Sequence, residues 1–246
     1  MNGLYMQCKV EVIRILRNPY YVFWSLCMPI VFYVVFTRIF NTDVPDQEVW
    51  QAHFLMSITA FSVMGSAIMT LGIRLVEERV QGWSMFMKVT PISEHAYFFA
   101  KMVGQTMIHI FSIIVIFIAG AWINGVSLTP IEWLMCGVWI LFGSSPFLAI
   151  GTLVGTMKRV ETAGGVSNMI YLVLAVLGGL MMPLEIMPNT IQTIAKWIPS
   201  YHFGNGAWQI VRGDWPNVAN FLSIIGYLFL FVILSNYIRR KQEMAV

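Results

Sequence analysis

Six runs of apolar residues organise this chain of 246, at roughly 20–40, 53–73, 97–123, 131–154, 164–182 and 218–238. A helix needs about 20 mostly apolar residues to cross the hydrocarbon core of a bilayer. The fold class that follows is an all-α integral membrane protein with six transmembrane helices. Composition agrees: 58% of the residues are hydrophobic and 11% charged, where a soluble domain carries about 45–50% and about 25%. Pro29 and Pro146 interrupt the first and fourth runs, which a bundle tolerates because neighbouring helices satisfy the freed carbonyls. The fifth run, GGVSNMIYLVLAVLGGLMM, is short and carries glycines at both ends. The first is followed by NTDVPDQ, which offers no small-x-small cleavage site, so it is expected to stay as a retained anchor.

Orientation follows from where the basic residues fall. With both termini cytoplasmic, Lys9, Arg14, Arg17, Arg74, Arg79, Lys88, Lys101, Lys158, Arg159, Arg239, Arg240 and Lys241 lie inside. Only Arg38, Lys196 and Arg212 lie outside, and twelve against three is a clear positive-inside asymmetry. The first outer loop, with Asp43, Asp46 and Glu48 and no Lys or Arg, fits this map. Trp50, Trp122, Trp133, Trp197, Trp208 and Trp215 fall at or beyond the outer ends of the runs, as an interfacial belt of aromatic rings should. The whole chain, 1–246, reads as one transmembrane domain in the cell (plasma) membrane: an interfacial helix over 1–19, the six-span bundle over 20–238 and a cytoplasmic tail over 239–246. Lipid is the expected surrounding, and a net charge of +3 gives no footing for nucleic acid.

Directly after the second run stands RLVEERVQGW, residues 74–83. A charge at the bilayer centre costs about 2.5–3.5 kcal/mol on insertion scales, so burying four would cost on the order of 10–14 kcal/mol. The second span therefore stops near Ile73, and the stretch projects into the cytoplasm. Arg74 lies four residues before Glu78 and three before Glu77, so ion pairs along the helix can carry it into water. Gly82 is expected to end it. WSMFMKV follows, and Thr90-Pro91 breaks the chain before the third span. A plain connector has no use for Trp83, Met85, Phe86 and Met87; they point to contact with lipid headgroups or a partner protein.

Two further segments are helical without being spans. In YMQCKVEVIRILRNP, Gln7, Glu11, Arg14 and Asn18 share one face, Tyr5, Cys8, Val12 and Leu16 the opposite one, and Pro19 ends or bends the helix. It reads as an amphipathic helix in the membrane interface. Between Pro188 and Pro199, Ile191, Ile194, Ala195 and Ile198 recur at i, i+3, i+4 and i+7, which predicts a short helix at the outer leaflet. Tyr201, His202 and Trp208 then read as interfacial material ahead of the sixth span.

The sequence holds no Gly-x4-Gly-Lys-Ser/Thr run, no HExxH, no Cys-x-x-Cys and no nucleophile elbow, so it reads as no enzyme and as binding no cofactor or metal of its own. Cys8, Cys27 and Cys136 read as small apolar fillers. His53, His95, His109 and His202 are scattered, and a membrane enzyme built on His109 or His202 lacks a supporting constellation. No span carries an ionisable residue at its centre, which argues against a self-sufficient secondary carrier or channel. The nearest candidate is the face of the third span bearing Lys101, Gln105, His109 and Ser112. It reads either as a polar strip along a translocation path or as helix–helix hydrogen bonding, with Lys101 near enough to the cytoplasm to snorkel. Ser62 and Ser66, Gly151 and Gly155, Gly164-Gly165 and Gly178-Gly179 stand at spacings that let helices approach closely.

These segments together resemble the permease subunit of a type-2 ABC exporter, over essentially the whole chain. Two stretches carry the likeness most specifically. RLVEERVQGWSMFMKVTPIS resembles the family's charged run, glycine, apolar patch and Thr/Ser-Pro, although Trp83 stands where the family often has a small hydroxyl residue. GGLMMPLEIMPNTIQTIAKWIPSYH resembles its Gly-Gly, Pro and Met-Pro pattern. The resemblance implies a bacterial ATP-driven exporter in which this chain forms half of the translocation path. Its partners would be a second permease chain, as homodimer or heterodimer, and a separate ABC ATPase subunit holding ATP and Mg. Arg74, Glu77, Glu78, Arg79, Gly82, Trp83, Phe86 and Pro91 would then be the coupling residues. An apolar lining fits an amphiphilic cargo, such as a drug in multidrug efflux, an antibiotic or a lipid. A lipid-linked glycan or sodium stays open within the family, and a self-sufficient carrier or channel outside it.

Overall fold

The computed structural model describes residues 2–17, 19–40, 46–83 and 94–243, and every regular element among them is helical. In chain order these are α1 (Asn2–Leu16), α2 (Pro19–Val34), α3 (Gln47–Gly65), α4 (Leu71–Val80), α5 (Glu94–Asn124), α6 (Pro130–Gly143), α7 (Ser145–Val154), α8 (Val160–Leu177), α9 (Asn189–Ala195), α10 (Pro199–Val211) and α11 (Val218–Glu243). Two π-helical stretches, Val35–Phe40 and Ser66–Thr70, extend α2 and join α3 to α4. Five helices are long and apolar enough to cross a membrane: Gln47–Val80, Ala96–Asn124, Pro130–Val154, Val160–Leu177 and Val218–Lys241. A shorter apolar stretch, Leu26–Arg38, lies where the first span was expected. Phe111, Ile114 and Ile118 on α5, Met169 and Val173 on α8, and Phe229 and Ile233 on α11 are exposed. Such an apolar exterior suits lipid and not water, and the chain is a multi-pass membrane protein.

The bundle is organised around one continuous helix, Gln47–Val80, of 34 residues. At 1.5 Å per residue it is about 51 Å long, against a hydrocarbon core of about 30 Å, so its charged end extends past the apolar core. It stops where Gly82 supplies a left-handed φ of 79° and its N–H bonds the Arg79 carbonyl at 3.1 Å. α2, α5 and α10 pack on its first half, α7 and α8 on its second. Contact with α7 is backbone-close. A Cβ on Gly151 would stand 2.2 Å from the Ala67 carbonyl oxygen, and one on Gly155 would stand 2.8 Å from Leu75. The expectation for small residues therefore holds at Gly151 and Gly155. It does not hold at Gly164-Gly165, where a Cβ would meet nothing within 4 Å. That pair sits on a helix whose outer surface is largely uncovered.

Pro146 acts as expected in the fourth run. Ser144 caps α6 and α7 starts at Ser145, with Pro146 in the first turn, where a missing N–H costs nothing. Thr129 and Glu132 form a reciprocal capping box at the start of α6, with bonds of 3.3 and 2.7 Å.

The segment between α8 and α11 departs most from expectation. α8 ends in a Schellman turn: Gly179 takes φ 76°, Leu180 N–H reaches the Ala175 carbonyl at 3.0 Å and Gly179 N–H the Val176 carbonyl at 3.1 Å. The short helix expected between Pro188 and Pro199 is α9. The residues after it are not interfacial trimming, because Tyr201, His202 and Trp208 belong to α10, which re-enters the bundle against α3, α6 and α11. Trp208 is buried, and its indole N–H donates to Ser57 Oγ at 2.8 Å. Trp122, Trp197 and Trp215 are strongly exposed, whereas the belt reading fails for Trp208, which is packed inside the bundle. Trp208→Phe keeps the volume and removes that bond. It is expected to destabilise the protein by about 1 kcal/mol, read as a lower melting temperature of the detergent-solubilised chain.

Candidate functional site

Five charged side chains converge where α1, α4 and α5 meet. Each helix contributes residues one turn apart, Glu11 and Arg14 from α1, Arg74 and Glu78 from α4, and Tyr97 and Lys101 from α5, so each pair points in one direction. Lys101 Nζ lies 2.5 Å from Glu11 Oε1 and 2.5 Å from Glu78 Oε1. Arg74 reaches Glu11 Oε2 at 2.9 Å and Arg14 reaches Glu78 Oε1 at 2.6 Å. The Tyr97 hydroxyl donates to Glu78 as well. Glu11, Glu78 and Lys101 are each less than 5% exposed. Charges so buried persist only when paired and hydrogen-bonded. Here three cations share two carboxylates.

This knot corrects two expectations. The Arg74–Glu77 and Arg74–Glu78 pairs along α4 do not form among the described residues; Arg74 and Glu78 each turn to other helices instead. Lys101 does not snorkel, because two carboxylates hold it at 3% exposure. α1 also sits the other way round from a helix floating polar side to water. Its polar residue Glu11 faces the protein, while Tyr5, Met6, Val10 and Ile13 are exposed, an arrangement suited to lipid on the outer side.

The remaining candidates divide. Arg79 donates to the Gly155 carbonyl at 2.6 Å and the Met157 carbonyl at 3.3 Å, which satisfies orphan carbonyls and complements the dipole at the end of α7. Glu77 is half-buried and makes no ion pair among the described residues. Trp83 is 47% exposed and lies under the Arg14 guanidinium, 5.6 Å from its ring centre, a cation–π distance. Phe86 and Pro91 lie outside the described residues. The structure thus joins Arg74, Glu78 and, through Arg14, Trp83. It adds Glu11, Arg14 and Tyr97, which sequence reading had not placed at the site. Their one available signal was an acidic residue on the polar face of an otherwise basic helix.

One turn further along α5 the polar column continues with Gln105, His109 and Ser112, all buried. Gln105 Nε2 donates to Ser66 Oγ at 2.6 Å and stands 3.3 Å from His109 Nε2. Ser66 opens the π-helical stretch, so the column ties α5 to the point where the long helix is wound differently. Gln105 thus bonds across to the long helix, while Gln105 Oε1 and His109 Nδ1 have no hydrogen-bond partner among the described residues. Cys8, Cys27 and Cys136 are free thiols. Among the described residues no group of three or more His, Cys, Asp or Glu converges as metal ligands would.

The bundle of apolar spans makes the chain a membrane protein, and the ionic junction ties three of its helices together at one end. Residues 41–237 match the model of the ABC-2 family transporter proteins, and the chain belongs to that family. It is 58% identical over 243 residues, 99% of both chains, to "Putative transport permease YvfS" of Bacillus subtilis (strain 168). It is 29% identical over 184 residues to "Inner membrane transport permease YhhJ" of Escherichia coli (strain K12), a match covering 68% of this chain and 47% of that one. Glu11 and Arg14 precede the family match, whereas Arg74, Glu78, Tyr97 and Lys101 fall inside it.

Proposed function

We propose that this chain is the membrane-spanning half of an ATP-driven exporter, crossing the membrane six times with both termini cytoplasmic. A second permease chain, identical or different, completes the path, and a separate ATPase subunit supplies the energy. Family membership supports the reading, as does a sequence with no phosphate-binding loop. The positive-inside asymmetry supports the orientation.

The observation that carries the coupling role is the junction at the end of the long helix. A push on the segment after α4 meets a helix end bound ionically to α1 and α5, so it moves three helices together. Within this reading the predicted coupling residues take different parts. Glu77 and Trp83, with Phe86 and Pro91 beyond, form the contact with the ATPase. Arg74, Glu78 and Arg79 hold the helix that receives the contact, and Gly82 turns the chain between them. The cargo is an amphiphile, such as a drug, antibiotic or lipid, which suits spans that carry no Asp, Glu, Lys or Arg at their middle.

The test is copurification from native membranes. Wild-type permease is expected to bring down an ABC ATPase. Glu77→Lys and Trp83→Ala should reduce the recovered ATPase at least tenfold while leaving the permease folded, judged by elution profile and melting temperature. Unchanged recovery in both variants would remove the coupling role from this segment. Cargo movement by the reconstituted chain alone, without ATP, would replace it with the carrier reading.

A further inference from the structure

At the end of the bundle away from the charge knot, α3, α9, α10 and the turn after α8 line a partly open pocket of about 190 Å³. Its polar lining is biased in one direction. Lys196, Arg212 and His53 face it, with the amides of Gln192 and Asn205. Among the described residues no Asp or Glu lines it. Among the described residues none of the three basic side chains makes an ion pair there, in contrast to the knot, where each cation has a carboxylate partner. His53 is held in place by stacking on Trp208, ring centres 4.7 Å apart, and Trp208 is itself pinned to Ser57. Gly179 and Leu184 supply the apolar side of the wall.

Lys196 and Arg212 are both exposed at the mouth of this pocket, and two permanent cations facing one concave space raise the local positive potential there, which favours an anion. A fork-shaped guanidinium and a point-like ammonium together suit an oxyanion with several acceptor oxygens, because charge-assisted bonds are about twice as strong as neutral ones. We infer that this pocket is a binding site for a phosphate-type oxyanion, the headgroup phosphate of an anionic lipid or a free phosphate, held by Arg212 and Lys196 against the His53–Trp208 stack. The apolar wall gives the glycerol end of a lipid a surface to lie on, which free phosphate does not need. The orientation proposed above puts this end of the bundle outside, so a bound lipid would belong to the outer leaflet, and only that assignment rests on the proposed orientation.

The experiment uses the full-length protein in phosphatidylcholine nanodiscs, with and without phosphatidylglycerol, and separately with inorganic phosphate. Native mass spectrometry of the detergent-released protein should show retained phosphatidylglycerol, and the melting temperature should rise with the anionic lipid. Arg212→Gln and Lys196→Gln should each cut retention at least tenfold. Arg159→Gln, an exposed change just before α8 and absent from the pocket lining, should leave it unchanged. A rise with phosphatidylglycerol alone assigns the site to lipid, and a rise with inorganic phosphate as well assigns it to the oxyanion itself. No rise with either, or equal retention in the Arg212 and Lys196 variants, overturns the site. Labelling of Asn189→Cys by a membrane-impermeant maleimide, in a background without other cysteines, reports the sidedness independently. Labelling only from the cytoplasmic face would overturn the outer-leaflet assignment and the proposed orientation while leaving the oxyanion result standing.

Discussion

Replacing Glu78 with Ala is expected to destabilise the protein by about 3–5 kcal/mol, the usual consequence of removing one member of a buried charge pair. The loss is large because Glu78 serves three groups at once: Lys101, Arg14 and the Tyr97 hydroxyl. Without it three cations are left with the single carboxylate of Glu11, and Lys101 remains enclosed at 3% exposure. Thermal or denaturant unfolding in detergent reads the effect. Lys101→Met should be costly alone, and the Glu78→Ala, Lys101→Met double variant should cost less than the sum, since the second change removes the charge that the first one strands. A Glu78→Ala protein within about 0.5 kcal/mol of wild type would mean that water reaches the knot and that it does not clamp α1.

Gly151→Ala is the second large effect, and it has an internal control. The added methyl would stand 2.2 Å from the Ala67 carbonyl oxygen, a backbone atom that cannot swing aside as a side chain can. α7 must therefore retreat from the long helix, with a cost of about 1–3 kcal/mol from overpacking. The same substitution at Gly165 meets nothing within 4 Å. In a helix interior Ala is favoured over Gly by about 0.8–1.0 kcal/mol, so Gly165→Ala should be neutral or stabilising. The melting temperature should fall for Gly151→Ala and stay level or rise for Gly165→Ala. Movement in the same direction would show that one of these helix faces is packed differently.

Legibility in the sequence followed the range of the interactions. The long spans, the extension of the second one past Ile73 and its stop at Gly82 all rest on rules that operate within a few residues. α9 was legible for the same reason. α10 was not, because Gly204, Gly206 and Ala207 carry too little hydrophobicity to register as a buried face. Its small residues are what let it pack, since a Cβ on Gly206 would lie 2.1 Å from the Trp139 ring. In the structure Pro199 opens it and Gly213, at φ 84°, follows its end. The knot was harder still. Its partners lie 64 residues apart for Arg14 and Glu78, and 63 apart for Arg74 and Glu11, and no spacing rule joins side chains at such distance. The local rule that was available paired Arg74 with Glu78, and the tertiary arrangement overrode it.

The π-helical stretch at Ser66–Thr70 has a mechanical meaning. It is a collar of altered winding, the kind of point at which a long helix changes direction, and from there to Val80 the helix is a lever arm of about 22 Å at 1.5 Å per residue. A tilt of about 10° at the collar carries the far end of such an arm by about 4 Å. α1 and α5 grip the arm near its tip, whereas Gln105 grips it at the fulcrum. A small rotation there is therefore magnified at one end of α5 and nearly cancelled one to two turns away.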